Sequence, residues 1–132
     1  MIPMLLLLAQ LAPVQVEPKP IATTIAAIRT NPRKFDGQLV RIHGWVNSCE
    51  RLSCGITERP ARDPSGAGER LSIAANPKFD ATVKPLLPTY VEFDARVNAA
   101  CLTTLLCTDR APVLAVVTLR GVVSPEPPAI EN

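Results

Sequence analysis

The chain has 132 residues, of which 47% are hydrophobic, 4% aromatic and 20% charged, and its formal net charge is +2 at pH 7. This length accommodates one domain with one core, and the composition is that of a folded protein. The small net charge argues against a dedicated nucleic-acid-binding protein, for which a strongly basic surface is expected. Because aromatic residues are few, the core is expected to consist mainly of Val, Ile, Leu and Ala.

The N-terminal residues 1–12 are uncharged and almost entirely apolar. The run is shorter than the roughly 20 residues of a membrane-spanning helix, and its length fits the apolar region of a secretory signal peptide. No Lys or Arg precedes it and no clean small-x-small cleavage site follows, so a disordered apolar N-terminus or a misplaced start codon is the other interpretation. The pattern predicts export to the periplasm or the exterior, with no stable membrane span in the mature chain. The next segment, residues 13–20, is predicted to be a Pro-rich linker.

A short helix is predicted after the linker. Ile21, Ile25 and Ile28 recur at helical spacing, and Thr23 or Thr24 can cap the first turn. The Asn-Pro pair that follows is expected to end this helix, and the Asp-Gly pair after it to form a turn. The single domain is predicted to span residues 21–123.

The long strand predicted over residues 39–47 contains the only Trp and the only His of the sequence. Successive side chains of a strand point to opposite faces. The set expected to face the core is Val40, Ile42, Gly44 and Val46. The set expected to face outward is Leu39, Arg41, His43, Trp45 and Asn47. A bulge or sharp bend is predicted at Gly44, which has no side chain to pack.

The remaining predicted elements follow from alternation and from turn-forming residues. They are a short return strand at 55–59, an exposed mobile loop at 60–69, a strand at 70–75, a helix starting at Asn76-Pro77, a strand at 90–99 and a strand at 113–123. The helix would bury Phe79 and Val83 and end at Pro85 or Pro88. The last strand is apolar on both faces, which predicts a central or covered position. A disordered tail is predicted for residues 124–132.

Four cysteines form two close pairs, Cys49 with Cys54 and Cys101 with Cys107. In a small exported domain an even count favours disulfides, although four cysteines allow three pairings. Local pairing would fix the shape of two loops and stabilise the fold by about 2 kcal/mol per bridge. A zinc site of four thiolates and free thiols are the other possibilities, but the spacings are wider than those of zinc ribbons. Disulfides are therefore predicted, with no metal site.

The order of elements (helix, three strands, helix, two strands) matches the OB-fold, an all-β five-stranded Greek-key barrel with short helices. The stretch 28–46 also resembles the start of many OB domains, including anticodon-binding-like ones, in which an aromatic-Asp-Gly turn opens the first strand. Here that turn is Phe35-Asp36-Gly37. Another small β-barrel or an open five-stranded sheet is the alternative fold. The resemblance implies that the two Cys-bearing loops flank one binding face, but it implies no particular ligand.

The outward residues Arg41, His43, Trp45 and Asn47 are the candidate ligand-binding set, because an aromatic ring beside cations and an amide can stack on and hydrogen-bond a sugar or a base. The competing interpretation places Trp45 under the helix or a loop as a structural residue. We expect an exported, non-enzymatic binding module that recognises an envelope component, a glycan or a protein. An OB-type nucleic-acid-binding protein is the alternative, supported by the fold and by Arg29, Arg33, Lys34 and Arg41.

No arrangement typical of catalysis or of a bound cofactor stands out. There is no Cys-x-x-Cys motif, and local sequence places no Ser or Cys nucleophile beside His43. Glu92 and Asp94 share a strand face with Arg96, which predicts a solvated, partly paired surface rather than a catalytic carboxylate pair. We therefore expect no enzymatic activity and no cofactor.

Overall fold

A computed structural model describes residues 18–50, 53–102 and 111–123. The predicted signal peptide, most of the predicted linker, Cys107 and the predicted tail lie outside these residues. The strands are β1 (Ile21–Ala22), β2 (Leu39–Glu50), β3 (Ser53–Thr57), β4 (Arg70–Ile73), β5 (Thr89–Asn98) and β6 (Val113–Val123). The helices are α1 (Ile25–Thr30), α2 (Pro32–Phe35) and α3 (Pro77–Val83), with 3-10 turns at Lys84–Leu86 and Ala100–Leu102.

Five strands close into a barrel in the order β2-β3-β4-β6-β5, because β5 also pairs with β2. The pairings are antiparallel except that of β4 with β6, which is parallel. Strand β1 makes a short parallel pairing with one edge of β2, at Val40 and Arg41. The predicted OB-like barrel is confirmed, with six strands rather than five among the described residues.

Alternation along β2 determines what the barrel encloses. Val40, Ile42 and Val46 are fully buried, as the pattern predicts. Apolar side chains from α1 and α3 join them in one core cluster, namely Ile25, Ile28, Phe79 and Val83. Side chains of α1 and α3 therefore belong to the same core as the inward residues of β2.

The predicted first helix begins later than its apolar spacing suggested. Ile21 pairs with Val40 in β1, and its side chain is 46% exposed rather than buried on a helix face. The helix starts at Ile25 because Thr24 caps it, with the Thr24 Oγ1 accepting a hydrogen bond from the Ala27 amide at 3.1 Å. The Asn-Pro pair ends α1 and also starts α2, since Pro is well suited to the first helical position.

No register shift occurs at Gly44, where a bulge was predicted. The β2–β5 ladder runs without interruption from Leu39 to Val46, and the register shift lies between Val46 and Cys49 in the ladder with β3. A Cβ at Gly44 would lie 2.6 Å from the Thr57 carbonyl oxygen. Position 44 therefore requires glycine, because the backbone of β3 comes too close for a side chain. The pairing of β2 with β3 begins at the next residue, Trp45.

Two other expectations differ in detail. Strand β3 lies two residues earlier than predicted, and β4 ends at Ile73, which leaves Ala75 exposed rather than facing the core. Strand β6 lies between β4 and β5, which confirms the central position that was one of its two predicted placements, although its Val117 is 58% exposed. Val117 is the extra residue of a bulge, because Asp94 and Ala95 of β5 pair with Thr118 and Val116 on either side of it. The α3 prediction is confirmed, with Asn76 as its cap and Phe79 and Val83 buried.

Candidate ligand-binding face on the outer side of β2

The structure places Arg41, His43 and Trp45 on the outer face of β2, as predicted. His43 is exposed, and the other two are partly exposed. Each lies directly opposite a residue of β5: the pairs are Arg41 with Asp94, His43 with Glu92, and Trp45 with Tyr90. The face therefore continues across β5, where alternation also directed Glu92 and Asp94 outward, but the sequence did not show that the two halves adjoin.

Three rings form what we call the aromatic cluster: His43, Trp45 and Tyr90. The Tyr90 and His43 ring centroids are 5.6 Å apart, and the Tyr90 hydroxyl hydrogen-bonds to the His43 Nδ1. The Tyr90 and Trp45 rings meet edge to face at 5.8 Å and 74°. Partial burial, and to a lesser extent the nearby Glu92 carboxylate, raise the pKa of Tyr90.

A second group on the same face is the ion cluster of Arg41, Asp94 and Arg120. Arg41 Nε donates to Asp94 Oδ1 at 2.9 Å, and Arg120 Nη1 donates to Asp94 Oδ2 at 3.2 Å. Arg120 is the extra residue of a second bulge in β6, since Leu119 and Gly121 pair with the adjacent Phe93 and Glu92. Two cations surround one carboxylate, so the cluster carries a net charge of about +1 at neutral pH.

Asp94 corrects the expectation of a solvated surface. It is only 5% exposed, although it lies on the outer side of the barrel. Hydrogen bonds from Arg41, reinforced by those from Arg120, hold the pKa of Asp94 below its usual range despite the opposing effect of burial. The hydrogen bond to Asp94 likewise raises the pKa of Arg41. The prediction that this strand face is partly ion-paired is confirmed at Asp94. The prediction that it is exposed to solvent is wrong at Asp94.

Asn47 differs from the other three predicted site residues because its amide bonds within the chain. The Nδ2 donates to Thr57 Oγ1 at 2.9 Å, and the Oδ1 accepts from the Ala61 amide at 3.0 Å. The side chain thus ties the segment after β3 to β2. A role for Asn47 in ligand binding stays a prediction.

A row of outer-face residues crosses four strands from the aromatic cluster. Tyr90 of β5 lies opposite Trp45 of β2, Trp45 opposite Thr57 of β3, and Thr57 opposite Arg70 of β4. Alternation alone could have marked each of these residues as outward. It could not have shown that they align, because register between strands distant in sequence is set by the closed barrel.

A groove of about 340 Å³ adjoins the aromatic cluster. Its lining residues are Thr23, Thr24, Ile25, Ala26, His43, Glu58 and Tyr90. The start of α1 forms one wall, and the His43–Tyr90 pair forms the other. Hydroxyl, carboxylate and imidazole groups thus meet beside an aromatic surface, which suits a ligand with a flat ring and polar edges.

The Cys49–Cys54 disulfide is present and joins directly opposed residues of β2 and β3. Cys101 is also disulfide-bonded, and its predicted partner, Cys107, lies outside the described residues. Neither finding fits the zinc alternative, which needs thiolates. No group of three or more His, Cys, Asp or Glu side chains suited to a metal ion occurs within the described part of the chain. None of the described helices is long and apolar enough to cross a membrane.

No protein-family model matches the sequence, and no curated protein sequence matches it. Among solved structures, the chain is similar to one in the Stn1–Ten1 complex from S. pombe, with 16% identity, a TM-score of 0.46, and coverage of 79% of this chain and 77% of that one. It is similar also to the telomere capping protein Ten1 from Saccharomyces pombe, again at 16% identity and a TM-score of 0.46, with coverage of 77% and 80%. At this level of similarity, neither match carries a conclusion about the ligand or partner of this chain.

Proposed function

We propose that this domain is a non-enzymatic OB-type binding module, and that its ligand is a single-stranded nucleic acid held on the outer face of β2. The observation that carries the proposal is the aromatic cluster, which stands partly exposed on the barrel surface with guanidinium groups nearby. A barrel that needed these rings for its core would have buried them, whereas the core is filled by aliphatic residues and Phe.

The rings provide a surface on which bases can stack. Trp45 and His43 project from alternate positions of one strand, and Tyr90, which lies opposite Trp45 on the next strand, contacts both rings. Stacking of a base on an aromatic side chain contributes about 1–3 kcal/mol and tolerates any base, because every base has a π-face. The groove beside Tyr90 offers Glu58 and the Thr23 and Thr24 hydroxyls to the polar edge of a base.

The ion cluster supplies positive charge on the same face. The Arg41 and Arg120 side chains remain 36% and 42% exposed although both bond to Asp94, so each retains N–H groups for a phosphate. Only about one net charge is available there, so the salt dependence of binding should be shallow compared with that of strongly basic proteins.

A neutral glycan is the second candidate. Glu92 lies opposite His43, between the aromatic cluster and the ion cluster, where its carboxylate would repel a phosphate chain but accept hydrogen bonds from sugar hydroxyls. Aromatic rings also stack on sugars. Export of the domain, which the apolar residues 1–12 predict and its oxidised cysteines support, would bring it into contact with envelope glycans.

Fluorescence anisotropy with a labelled oligothymidylate and with a neutral chitooligosaccharide tests both candidates. We expect the oligothymidylate to bind, Trp45→Ala to weaken binding about 10-fold or more, and the melting temperature to fall little. Leu86→Ala, an exposed apolar residue outside this face, is the matched control and should bind normally. The nucleic-acid proposal is wrong if the oligothymidylate fails to bind at low salt, and glycan binding lost in Trp45→Ala would then support the second candidate. A large fall in melting temperature would instead make Trp45 structural.

A further inference from the structure

Arg70 stands at the end of the row that begins at the aromatic cluster. It precedes Leu71, which is fully buried, so alternation directs the Arg70 side chain outward on β4. Adjacent strands lie about 4.8 Å apart, which puts the Arg70 backbone roughly 10 Å from that of Trp45 across β3. A flexible ligand stacked on Trp45 therefore needs to extend over only one intervening strand to reach it.

The Arg70 guanidinium rests on the backbone of Gly55. Gly55 faces outward on β3, yet it is buried, and a Cβ there would lie only 2.5 Å from the Arg70 Cζ and Nε. Arg70 Nη1 also donates to the Ser72 hydroxyl at 3.2 Å, and the Arg70 carbonyl accepts a hydrogen bond from Arg29. Any residue larger than glycine at position 55 would displace the guanidinium, so its position depends on that glycine.

This guanidinium has no carboxylate partner among the described residues. The ion pairs there join Arg29 with Glu69, Arg59 with Asp63, and Asp94 with its two arginines. Arg29 thus neutralises the acidic residue next to Arg70 in sequence, and the Arg70 charge is left to solvent or to a ligand. An exposed guanidinium with N–H groups that have no partner in the described part of the chain suits bidentate contact with a phosphate.

We infer that Arg70 binds a phosphate group of the ligand. This inference rests on the proposed function for the identity of the ligand. Arg41 and Arg120 already share a nearly buried carboxylate, whereas Arg70 has none. Thr57 lies between the aromatic cluster and Arg70, but it is largely buried and its hydroxyl bonds to Asn47 and to the Arg59 carbonyl, so Thr57 itself is not a ligand contact.

Two variants separate the charge of Arg70 from its position. Arg70→Ala removes the guanidinium, and Gly55→Ala keeps the charge but displaces it, at low cost because the obstacle is the end of a flexible side chain. We expect both to weaken oligothymidylate binding about 10-fold and to lower the slope of log affinity against log salt by about one unit. The control is Arg62→Ala, an exposed arginine in the loop between β3 and β4, which should change neither quantity appreciably. Circular dichroism spectra confirm that each variant is folded.

A second measurement does not depend on oligonucleotide binding. In protein labelled with ¹⁵N, titration with inorganic phosphate should shift the Arg70 Nε–H signal, and Gly55→Ala should abolish the shift. If oligothymidylate does not bind but phosphate shifts Arg70, the anion site stands and the nucleic-acid proposal falls. If the oligonucleotide binds equally well to wild type and Arg70→Ala, or if Arg62→Ala weakens binding as much as Arg70→Ala does, the inference about Arg70 is wrong.

Discussion

Arg41 and Asp94 lie directly opposite each other on β2 and β5, and two hydrogen bonds of 2.9 and 3.3 Å join the guanidinium to the carboxylate. Asp94 is nearly buried, so without these bonds its charge would be costly to maintain. The pair therefore links the charge state of one carboxylate to the pairing of β2 with β5.

This link predicts a pH dependence of stability. Because the pKa of Asp94 is lower in the folded chain than in the unfolded one, its contribution is fully present above the ordinary Asp pKa of about 3.9 and is lost as the pH falls through the lower folded-state value. Asp94→Asn should lose about 1–3 kcal/mol in free energy of unfolding at pH 7 and show a flatter profile below about pH 4. Urea unfolding across this pH range measures both effects.

Glu92→Gln is the control for that experiment, since Glu92 lies on the same strand face and forms no ion pair among the described residues. It should keep the slope of the wild-type profile below about pH 4. An Asp94→Asn profile parallel to that of the wild type would show that the ion cluster does not link pH to folding.

Gly44 and Gly121 form a matched pair for testing the close approach of β3 to β2. A Cβ at Gly44 would clash with the Thr57 carbonyl, whereas one at Gly121 has no atom within 4 Å. Gly44→Ala should therefore lower the free energy of unfolding by about 1–3 kcal/mol, and Gly121→Ala by less than about 0.5 kcal/mol. Equal losses measured by urea unfolding would contradict the proposed reason for the glycine.

Asn47 should protect the segment that follows β3. Its amide holds the Ala61 main chain, and the nearby Arg62 offers trypsin a cleavage site, whereas the bond after Arg59 is protected by Pro60. Asn47→Ala should lose about 1 kcal/mol in stability and be cleaved faster after Arg62 than wild type under native conditions. Thr82→Ala, which removes a side-chain bond within α3, is a control that should leave the cleavage rate at Arg62 unchanged.

The cysteine prediction is checked by the intact mass of the full chain. Reduction should add four hydrogens if both predicted bridges are present, and two if only the Cys49–Cys54 bridge is. Replacing Cys49 and Cys54 together by Ala should lower the free energy of unfolding by about 2 kcal/mol, because the closed loop is short. A mass unchanged by reductant would contradict both bridges.

Local patterns in the sequence were sufficient for most of the barrel. Alternation identified which side chains of β2 face the core, and the Asn-Pro pair at Asn76 located the start of α3. The patterns failed where tertiary pairing overrides local spacing. Ile21 fits a helical face, yet it pairs with Val40 in a strand. This edge of β2 is available to it because β3 pairs with β2 only from Trp45 onward.

The candidate site was only partly predictable for the same reason. Arg41, His43 and Trp45 lie on one strand, so a period of two was enough to group them. Their partners belong to other strands. Arg120, which bonds to Asp94, is the extra residue of a bulge, and no residue in that part of the sequence is typical of a bulge. Arg70 likewise becomes notable only when Gly55 is seen beneath it.

Strand β2 pairs with both hairpins of the barrel. The β3–β4 hairpin joins it from Trp45 onward, the β5–β6 hairpin joins it up to Val46, and the two hairpins meet each other in just two residue pairs between β4 and β6. The β4–β6 pairing is therefore the shortest ladder in the described barrel. A barrel built in this way can open between β4 and β6 while both hairpins stay paired with β2. The outer face of β2 would then persist after the barrel has opened.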